Sequence, residues 1–294
     1  MEKAFWRFDM KKVRAMVLTG YGLNCDNETD FSLHLAGADS HRMHINQLIR
    51  NTSSASIKAL EDYRILVFGG GFSWADDHGA GVLMASKMKR HLGKQLKAFV
   101  DAGNLILGIC NGFQALVNLG LLPGFDGRYQ DRQVALTHND SGNFIDTWVN
   151  LKINPQSPNV FTKGLTHAEF PVRHGEGKFY ASQNTIHRLF ENNQVVLQYA
   201  DHNGNPAGGR RPLNPNGSLS DIAGICDPTG HIFGLMPHPE AFNHFTNHPE
   251  WTRRKLVLAR QGESIEQEEG GGSPSFGMRW NISGKKGGHT GLPF

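Results

Sequence analysis

A short apolar run that leads directly into a cysteine flanked by glycines constrains this sequence more than any other feature. Residues 105–109 have the length and apolarity of a buried strand, and apolar residues recur at helical spacing over 115–119. Cys110 falls between them, with Gly108 and Gly112 two residues away on either side. A strand, a sharp turn and a helix with small neighbours are typical of a nucleophile elbow. The sequence therefore predicts an α/β fold with Cys110 as a candidate nucleophile.

Two alternatives compete with this interpretation of Cys110. A free cysteine is often simply a buried core residue. Residues 102–125 also contain no charged side chain, as a membrane span would, but five glycines, three asparagines, a glutamine and a proline interrupt the run. Such a segment is too polar for a helix in lipid. We therefore favour the elbow.

Length, charge and cysteine content narrow the class of protein. The 294 residues suit one large α/β domain or two small ones, and a net charge of +3 gives no reason to expect nucleic acid or a membrane surface as partner. Three cysteines form too sparse a set for a disulfide framework. Residues 1–12 are aromatic and charged, unlike a secretory signal. We expect a cytoplasmic protein.

The first third of the sequence alternates between strand and helix patterns. Residues 14–19 predict a strand, the acidic residues after Cys25 predict a helix that ends at Gly37, and a second strand follows around 42–45. The apolar run 65–68 has the composition of a central strand. This βαβ order predicts a mainly parallel central sheet.

A glycine-rich loop should meet Cys110 at one edge of that sheet. Residues 69–71 are three glycines that follow the strand 65–68, and a long amphipathic helix ending at Gly103 leads on to the strand before Cys110. The carboxyl ends of parallel strands share one edge, where ligands bind in open α/β sheets. The loop lacks the Gly-Lys-Ser/Thr ending of a phosphate loop, so a nucleotide site is not indicated.

The second half of the sequence has a different character. Helical periodicity is poor, and residues 144–153, 170–174 and 195–199 have extended patterns. Two further strands, 222–226 and 231–236, are joined by an Asp-Pro-Thr-Gly turn. These patterns predict an antiparallel extension beside the parallel core.

His238 and Glu240 follow the last of these strands. Residues two apart in extended backbone point to the same side, which suits a base and the carboxylate that orients it. It is equally possible that one of the fifteen histidines precedes a glutamate by chance. A metal site with His244 and His248 is a third possibility, but neither residue has a matching acid or cysteine at ligand spacing. We expect no metal site.

Six short motifs occur in order along the chain. They are Gly-Leu-Asn-Cys-Asp (22–26), Gly-Gly-Phe-Ser-Trp-Ala-Asp (70–76), Gly-Ile-Cys-Asn-Gly-Phe-Gln (108–114), His-Gly-Glu-Gly (174–177), Asn-Pro-Asn-Gly-Ser (214–218) and Met-Pro-His-Pro-Glu (236–240). Together they resemble the motifs of class I (triad) glutamine amidotransferases over roughly residues 14–255, and most strongly those of the glutaminase subunits that serve purine biosynthesis. The resemblance implies an α/β, flavodoxin-like three-layer sandwich with a mainly parallel central sheet and an antiparallel extension.

The same resemblance implies roles for individual residues. The catalytic triad would be Cys110, His238 and Glu240, whereas Cys25 would not be the nucleophile. Backbone N–H groups of two residues would form the oxyanion hole, namely Gly71 and Asn111. Four residues would bind the substrate glutamine, namely Gly70, Gln114, Gly175 and Glu176.

The resemblance also implies a separate partner, because no synthetase domain is fused to this sequence. That synthetase subunit would carry ATP and Mg²⁺ and would turn formylglycinamide ribonucleotide into the amidine, with a small third subunit in the complex. We expect no cofactor in this chain itself. Another cysteine-elbow amidohydrolase and a catalytically silent binding subunit are the alternatives. The amidotransferase domain is expected at residues 14–260, between an N-terminal extension (1–13) and a glycine-rich tail (261–294).

Overall fold

The computed structural model describes residues 13–51 and 60–260, so the predicted tail and all of the predicted extension except Val13 lie outside the described residues. The strands are β1 (Arg14–Thr19), β2 (Asp39–His44), β3 (Ile65–Phe68), β4 (Leu105–Ile109), β5 (Val134–Thr137), β6 (Ile145–Ile153), β7 (His167–His174), β8 (Lys178–Ala181), β9 (Val195–Ala200), β10 (Ile222–Cys226) and β11 (Ile232–Leu235). The helices are α1 (Asp26–Leu35), α2 (Ile45–Asn51), α3 (Val82–Asp101), α4 (Asn111–Leu119), α5 (Gln183–Glu191) and α6 (Trp251–Arg260).

Nine of the strands form one sheet in the order β2-β1-β3-β4-β11-β10-β9-β6-β7, and β5 pairs with β8 separately. The first five strands of this order are parallel and the rest are antiparallel. Every residue of β3, β4, β10 and β11 is buried. Strands buried at every position are covered on both faces, so the sheet is the middle layer. The predicted fold class is confirmed.

Successive strands are added to one side of β1 first and to its other side afterwards, and this order determines where the loops after β1 and β3 lie. The β1–β2 and β3–β4 connections run in opposite directions across the sheet, and right-handed crossovers then put α1 and α3 on opposite faces. Helix α4 packs against α3. The loops after β1 and β3 therefore flank the switch point, where open α/β sheets bind ligands.

The antiparallel strands reach over the carboxyl ends of the parallel strands. Although β7 is at the far edge of the sheet, its Pro171 carbonyl accepts a hydrogen bond from the His238 N–H at 2.8 Å. The Arg173 carbonyl of the same strand lies 3.6 Å from the Cys110 sulfur. The end of β7 thus covers the place where β4 and β11 terminate.

Two sequence expectations about secondary structure were wrong. The second strand is β2 at Asp39–His44, and Ile45 begins α2. This edge strand is mostly polar and is held by backbone pairing with β1, so hydrophobicity does not mark its start. The region after Pro123 contains helices α5 and α6, although no helix was predicted there.

No helix in the described ranges is long and apolar enough to cross a membrane. The uncharged run 102–125 instead contains β4, the turn at Cys110 and α4.

Candidate active site

Cys110 occupies a strained turn between β4 and α4. Its φ and ψ of 51° and −105° are rarely adopted by a residue with a side chain. The flanking glycines are required by close approach, because a Cβ at Gly112 would lie 1.9 Å from the Phe68 carbonyl oxygen. One at Gly108 would lie 2.6 Å from Leu116 Cδ1. The predicted strand–turn–helix geometry is present, and Cys110 is 4% exposed.

His238 and Glu240 form a buried hydrogen-bonded pair. Nδ1 of His238 lies 2.6 Å from Oε1 of Glu240, and the residues are 2% and 1% exposed. They are not in extended backbone as the sequence argument assumed, because residues Pro239–Ala241 form a single 3-10 turn. The turn brings the carboxylate back to the ring. The pair was predicted correctly, but its geometry was wrong.

The electrostatics of His238 favour the charged imidazolium. Complete burial lowers the pKa of His238, but the charges of Glu240 and Cys110 outweigh burial and raise this pKa well above its usual value. Nε2 of His238 has no hydrogen-bond partner among the described residues. With Nδ1 held by Glu240, Nε2 is available for proton transfer.

Cys25 lies near the same imidazole nitrogen that contacts Glu240, which the sequence did not indicate. Its sulfur is 4.0 Å from Nδ1 of His238. Burial is the largest effect and raises the pKa of Cys25, which disfavours the nucleophilic thiolate. Cys226 is fully buried in β10, and burial raises its pKa to about 12. Neither cysteine has the strained elbow geometry of Cys110.

One group of side chains within the described residues could hold a metal ion, with ligand atoms all within 4.8 Å of one another: Cys25, His238 and Glu240. The direct hydrogen bond between the last two already uses Nδ1 and one carboxylate oxygen. The histidines considered as metal ligands from the sequence make other contacts. His244 pairs with the Thr246 hydroxyl, and Nε2 of His248 lies 3.1 Å from a Glu169 oxygen.

The two backbone N–H groups predicted to be oxyanion donors belong to different segments of the chain. Gly71 forms an isolated bridge with Leu23, flanked by hydrogen bonds from Asn24 to Gly70 and from Phe72 to Gly22. This makes Gly71 the non-hydrogen-bonded member of the pair, whose N–H points away from the neighbouring loop. Asn111 is the first residue of α4, so its N–H lacks an intrahelical acceptor.

The residues expected to bind glutamine lie around the same centre. Nε2 of Gln114 donates to the Glu176 carbonyl, and Oε1 of Gln114 accepts from Nδ2 of Asn111 at 3.1 Å. Gly70 packs so closely on His238 that a Cβ there would lie 2.8 Å from the ring. The carbonyl of Gly175 accepts from the Asn139 N–H at 2.9 Å, which fixes the turn that carries Glu176.

A buried polar network supports that turn and was missed from the sequence. His174 contacts Asn139 Oδ1 at 3.1 Å, and Nδ2 of Asn216 donates to the Gly177 carbonyl and the Tyr199 hydroxyl, each at 2.9 Å. The pKa of His174 is lowered to about 3, mainly by burial and to a smaller extent by the charge of His238. The two motifs at 174–177 and 214–218 were the available signal, since they meet here.

Comparison with known proteins agrees with this geometry. The sequence pattern of CobB/CobQ-like glutamine amidotransferase domains matches residues 12–268. A protein of Methanococcus maripaludis named phosphoribosylformylglycinamidine synthase subunit PurQ is 47% identical over 256 residues, which are 86% of this chain and 91% of the relative. The PurQ subunit of Dehalococcoides mccartyi is 42% identical over 258 residues, which are 87% of this chain and 96% of that one.

A solved structure shows the same architecture. A chain in the structure of PurLQS from Thermotoga maritima superimposes with a TM-score of 0.59 and 30% sequence identity, covering 85% of this chain and 99% of that chain. Both kinds of comparison extend over the described α/β domain. The chain therefore belongs to the family of CobB/CobQ-like glutamine amidotransferases, within which its relatives are the PurQ subunits of phosphoribosylformylglycinamidine synthase.

Proposed function

We propose that this chain is the glutaminase subunit of phosphoribosylformylglycinamidine synthase and that Cys110, His238 and Glu240 are its catalytic triad. The observation that carries the mechanism is the buried 2.6 Å contact between Nδ1 of His238 and Glu240. Nε2 has no hydrogen-bond partner within the part of the chain that the structure describes, and Cys110 helps to raise the pKa of the same ring. The PurQ relatives at 42% and 47% identity support the choice of pathway.

In the first half of the proposed reaction, Cys110 attacks the side-chain amide carbon of glutamine. A C–S bond forms, the thiol proton passes to His238, and the N–H groups of Gly71 and Asn111 hold the oxyanion. Removing one such donor typically costs about 3 kcal/mol in the transition state. The C–N bond then breaks, and His238 returns the proton to the departing nitrogen. Ammonia and a glutamyl thioester result.

In the second half, water hydrolyses the thioester. His238 takes a proton from water, the oxygen attacks the acyl carbon, and the C–S bond breaks to release glutamate and restore the thiol. Glu240 keeps the imidazole in one tautomer and stabilises its charged form in both halves. Gln114, with Gly70, Gly175 and Glu176, would hold the glutamine substrate in place.

The ammonia produced would be passed to a synthetase subunit, PurL. Free ammonia is mostly protonated at neutral pH and is then not a nucleophile, so delivery within a complex suits the chemistry. We propose that PurL binds ATP and Mg²⁺ and makes formylglycinamidine ribonucleotide from formylglycinamide ribonucleotide. The related structure is titled PurLQS, which supports a complex that also contains the small subunit PurS. No cofactor is proposed for this chain, and the complex would be cytoplasmic.

Substitution of the nucleophile tests this proposal in the assembled complex. Cys110→Ala should abolish amidine formation from glutamine, whereas added ammonium salt should still support it, because the synthetase reaction does not need the thiol. Cys226→Ala is the control, since this cysteine is buried in β10, and it should retain glutamine-dependent activity. Glutamine turnover by the Cys110→Ala complex at the wild-type rate would contradict the mechanism.

A further inference from the structure

Three consecutive residues in the loop after β3 have left-handed backbone conformations. Trp74, Ala75 and Asp76 have φ angles of 55°, 57° and 53°, although none is glycine. Each such residue is energetically unfavourable and persists only where the surrounding structure holds it. The loop also contains Gly71, one of the two oxyanion donors proposed above. The strained segment is therefore part of the loop that carries that donor.

The side chain of Asn111 makes two hydrogen bonds to this segment, which the Tyr21 carbonyl also holds by accepting from the Trp74 N–H at 2.7 Å. Oδ1 of Asn111 accepts a hydrogen bond from the Ser73 N–H at 3.3 Å, and Nδ2 donates to Oδ1 of Asp76 at 2.9 Å. Nδ2 also donates to Gln114 at 3.1 Å. Asn111 is fully buried, so both of its amide protons are used where water is excluded. The residue after the nucleophile is thus bonded directly to the strained loop.

The contacts continue into a closed ring of three chain segments. Gln114 on α4 donates to the Glu176 carbonyl, and the Glu176 carboxylate accepts from the Ala80 N–H at 3.3 Å. Ala80 follows Asp76 in the same loop. The ring therefore joins the loop after β3, the start of α4 and the turn after β7.

We propose that Asp76 is a positioning residue for the oxyanion hole, a role that rests on the proposed function of the Gly71 and Asn111 N–H groups. The two donors belong to different segments, and the Asp76–Asn111 hydrogen bond is a direct side-chain link between those segments. A carboxylate acceptor makes this a charge-assisted bond. Asp76 thereby sets the spacing of the two donors without touching the substrate.

Kinetics of glutamine hydrolysis by the assembled complex test the role of Asp76. Asp76→Ala should lower kcat about 10- to 100-fold with KM for glutamine changed less than about threefold, because the affected groups act in the transition state. Asp76→Asn keeps an oxygen acceptor for Asn111 and should recover kcat to within about fivefold of wild type. Asp77→Ala removes the neighbouring exposed carboxylate and should leave both constants unchanged.

An inhibitor whose carbonyl oxygen becomes an oxyanion on binding can distinguish mispositioned oxyanion donors from a general loss of structure. Glutamate γ-semialdehyde adds the Cys110 sulfur to its carbonyl and places the resulting oxygen in the oxyanion hole. Its affinity should fall in Asp76→Ala by about the same factor as kcat, whereas alkylation of Cys110 by iodoacetamide should proceed at the wild-type rate. Equal affinity for the semialdehyde in Asp76→Ala and wild type would overturn the inference.

A double-mutant cycle tests the Asp76–Asn111 link independently, and Asn111→Ala alone, which should also lower kcat, serves where Asp76→Ala folds poorly. Asn111→Ala breaks the same bond from the helix side, and the double variant should lose no more activity than the more affected single variant. Additive losses would contradict the proposed link. If wild type releases no ammonia from glutamine, the proposed function fails. If wild type is active and Asp76→Ala matches it, only the inference about Asp76 fails.

Discussion

At the residue scale, the imidazole of His238 occupies space that is open only because Gly70 has no side chain. A Cβ added to Gly70 would lie 2.8 Å from Cε1 of His238 and 3.2 Å from the Cys25 sulfur. Both neighbours are buried and pack against other groups, so neither can retreat without moving the site. The adjacent Gly69 has nothing within 4 Å of the same position. These two glycines offer a matched pair for mutation.

We predict that Gly70→Ala lowers kcat/KM for glutamine at least about 10-fold, because the added methyl group displaces His238 by a fraction of an ångström from its working position. Gly69→Ala should change kcat/KM less than about twofold. Steady-state ammonia release in the complex is the measurement. Similar activity in the two variants would show that the imidazole tolerates displacement.

Prediction at the residue scale worked for local geometry, where the residues involved are close in sequence. The glycines on either side of Cys110 predicted the tight turn, and the spacing of His238 and Glu240 predicted their contact. The contact between Cys25 and His238 joins residues 213 positions apart, and no local pattern encodes it. The Asp76–Asn111 bond was missed for the same reason. It also depends on a left-handed backbone conformation, which the sequence does not predict for residues other than glycine.

At the element scale, α5 shows why a short helix escapes a periodicity search. Its nine residues bury only Ile186 and Leu189, and Phe190 is exposed. Two buried residues are too few to establish a helical repeat. In contrast, α3 buries apolar residues over about four turns and was predicted from them. The better signal for α5 was the residue before its start, since the Ser182 hydroxyl accepts a hydrogen bond from the Thr185 N–H at 3.1 Å.

We predict that Ser182→Ala lowers the free energy of unfolding by about 1 kcal/mol, because the substitution removes the helix cap. Gln183→Ala, at the next exposed position, should change it by less than about 0.5 kcal/mol. Urea denaturation of the two variants makes the comparison. Equal stability would mean that the cap contributes nothing to α5 in this context.

At the scale of the whole molecule, the neutral state of His174 couples stability to pH. The pKa of His174 is lowered to about 3 by burial and by the charge of His238, whereas an unfolded histidine titrates near 6.5. Between these values the unfolded chain binds a proton that the folded chain does not. Burial of His174 therefore costs no stability above pH 6.5, and the free energy of unfolding decreases as pH falls from 6.5 toward 3.

We predict that this single group lowers the free energy of unfolding by about 2–3 kcal/mol between pH 7 and pH 4.5, using 1.36 kcal/mol per pKa unit. His174→Gln should remove that part of the pH dependence, whatever its effect at pH 7. His187→Gln, at an exposed position of α5, should retain the full dependence. Denaturation curves at the two pH values provide the measurement, and parallel behaviour of His174→Gln and wild type would contradict the assignment.

The sheet as a whole was predictable only in its parallel half. Alternating strand and helix patterns, with right-handed connections, determine most of the order β2-β1-β3-β4. The order β10-β9-β6-β7 depends on pairings between distant segments with no short turn to direct them. The sequence therefore indicated an antiparallel extension but not that β7 would reach back over Cys110.

The pairing of β4 with β11 has a consequence for how such enzymes diverge. Leu235 is in register with Ile109, and its carbonyl accepts a hydrogen bond from the Cys110 N–H at 2.8 Å. Cys110 and His238, three residues beyond Leu235, are thus aligned by backbone hydrogen bonds, which do not depend on the identity of the side chains in β4 and β11. Changes in the length of loops elsewhere on the surface should therefore leave the relative positions of these two residues unaltered.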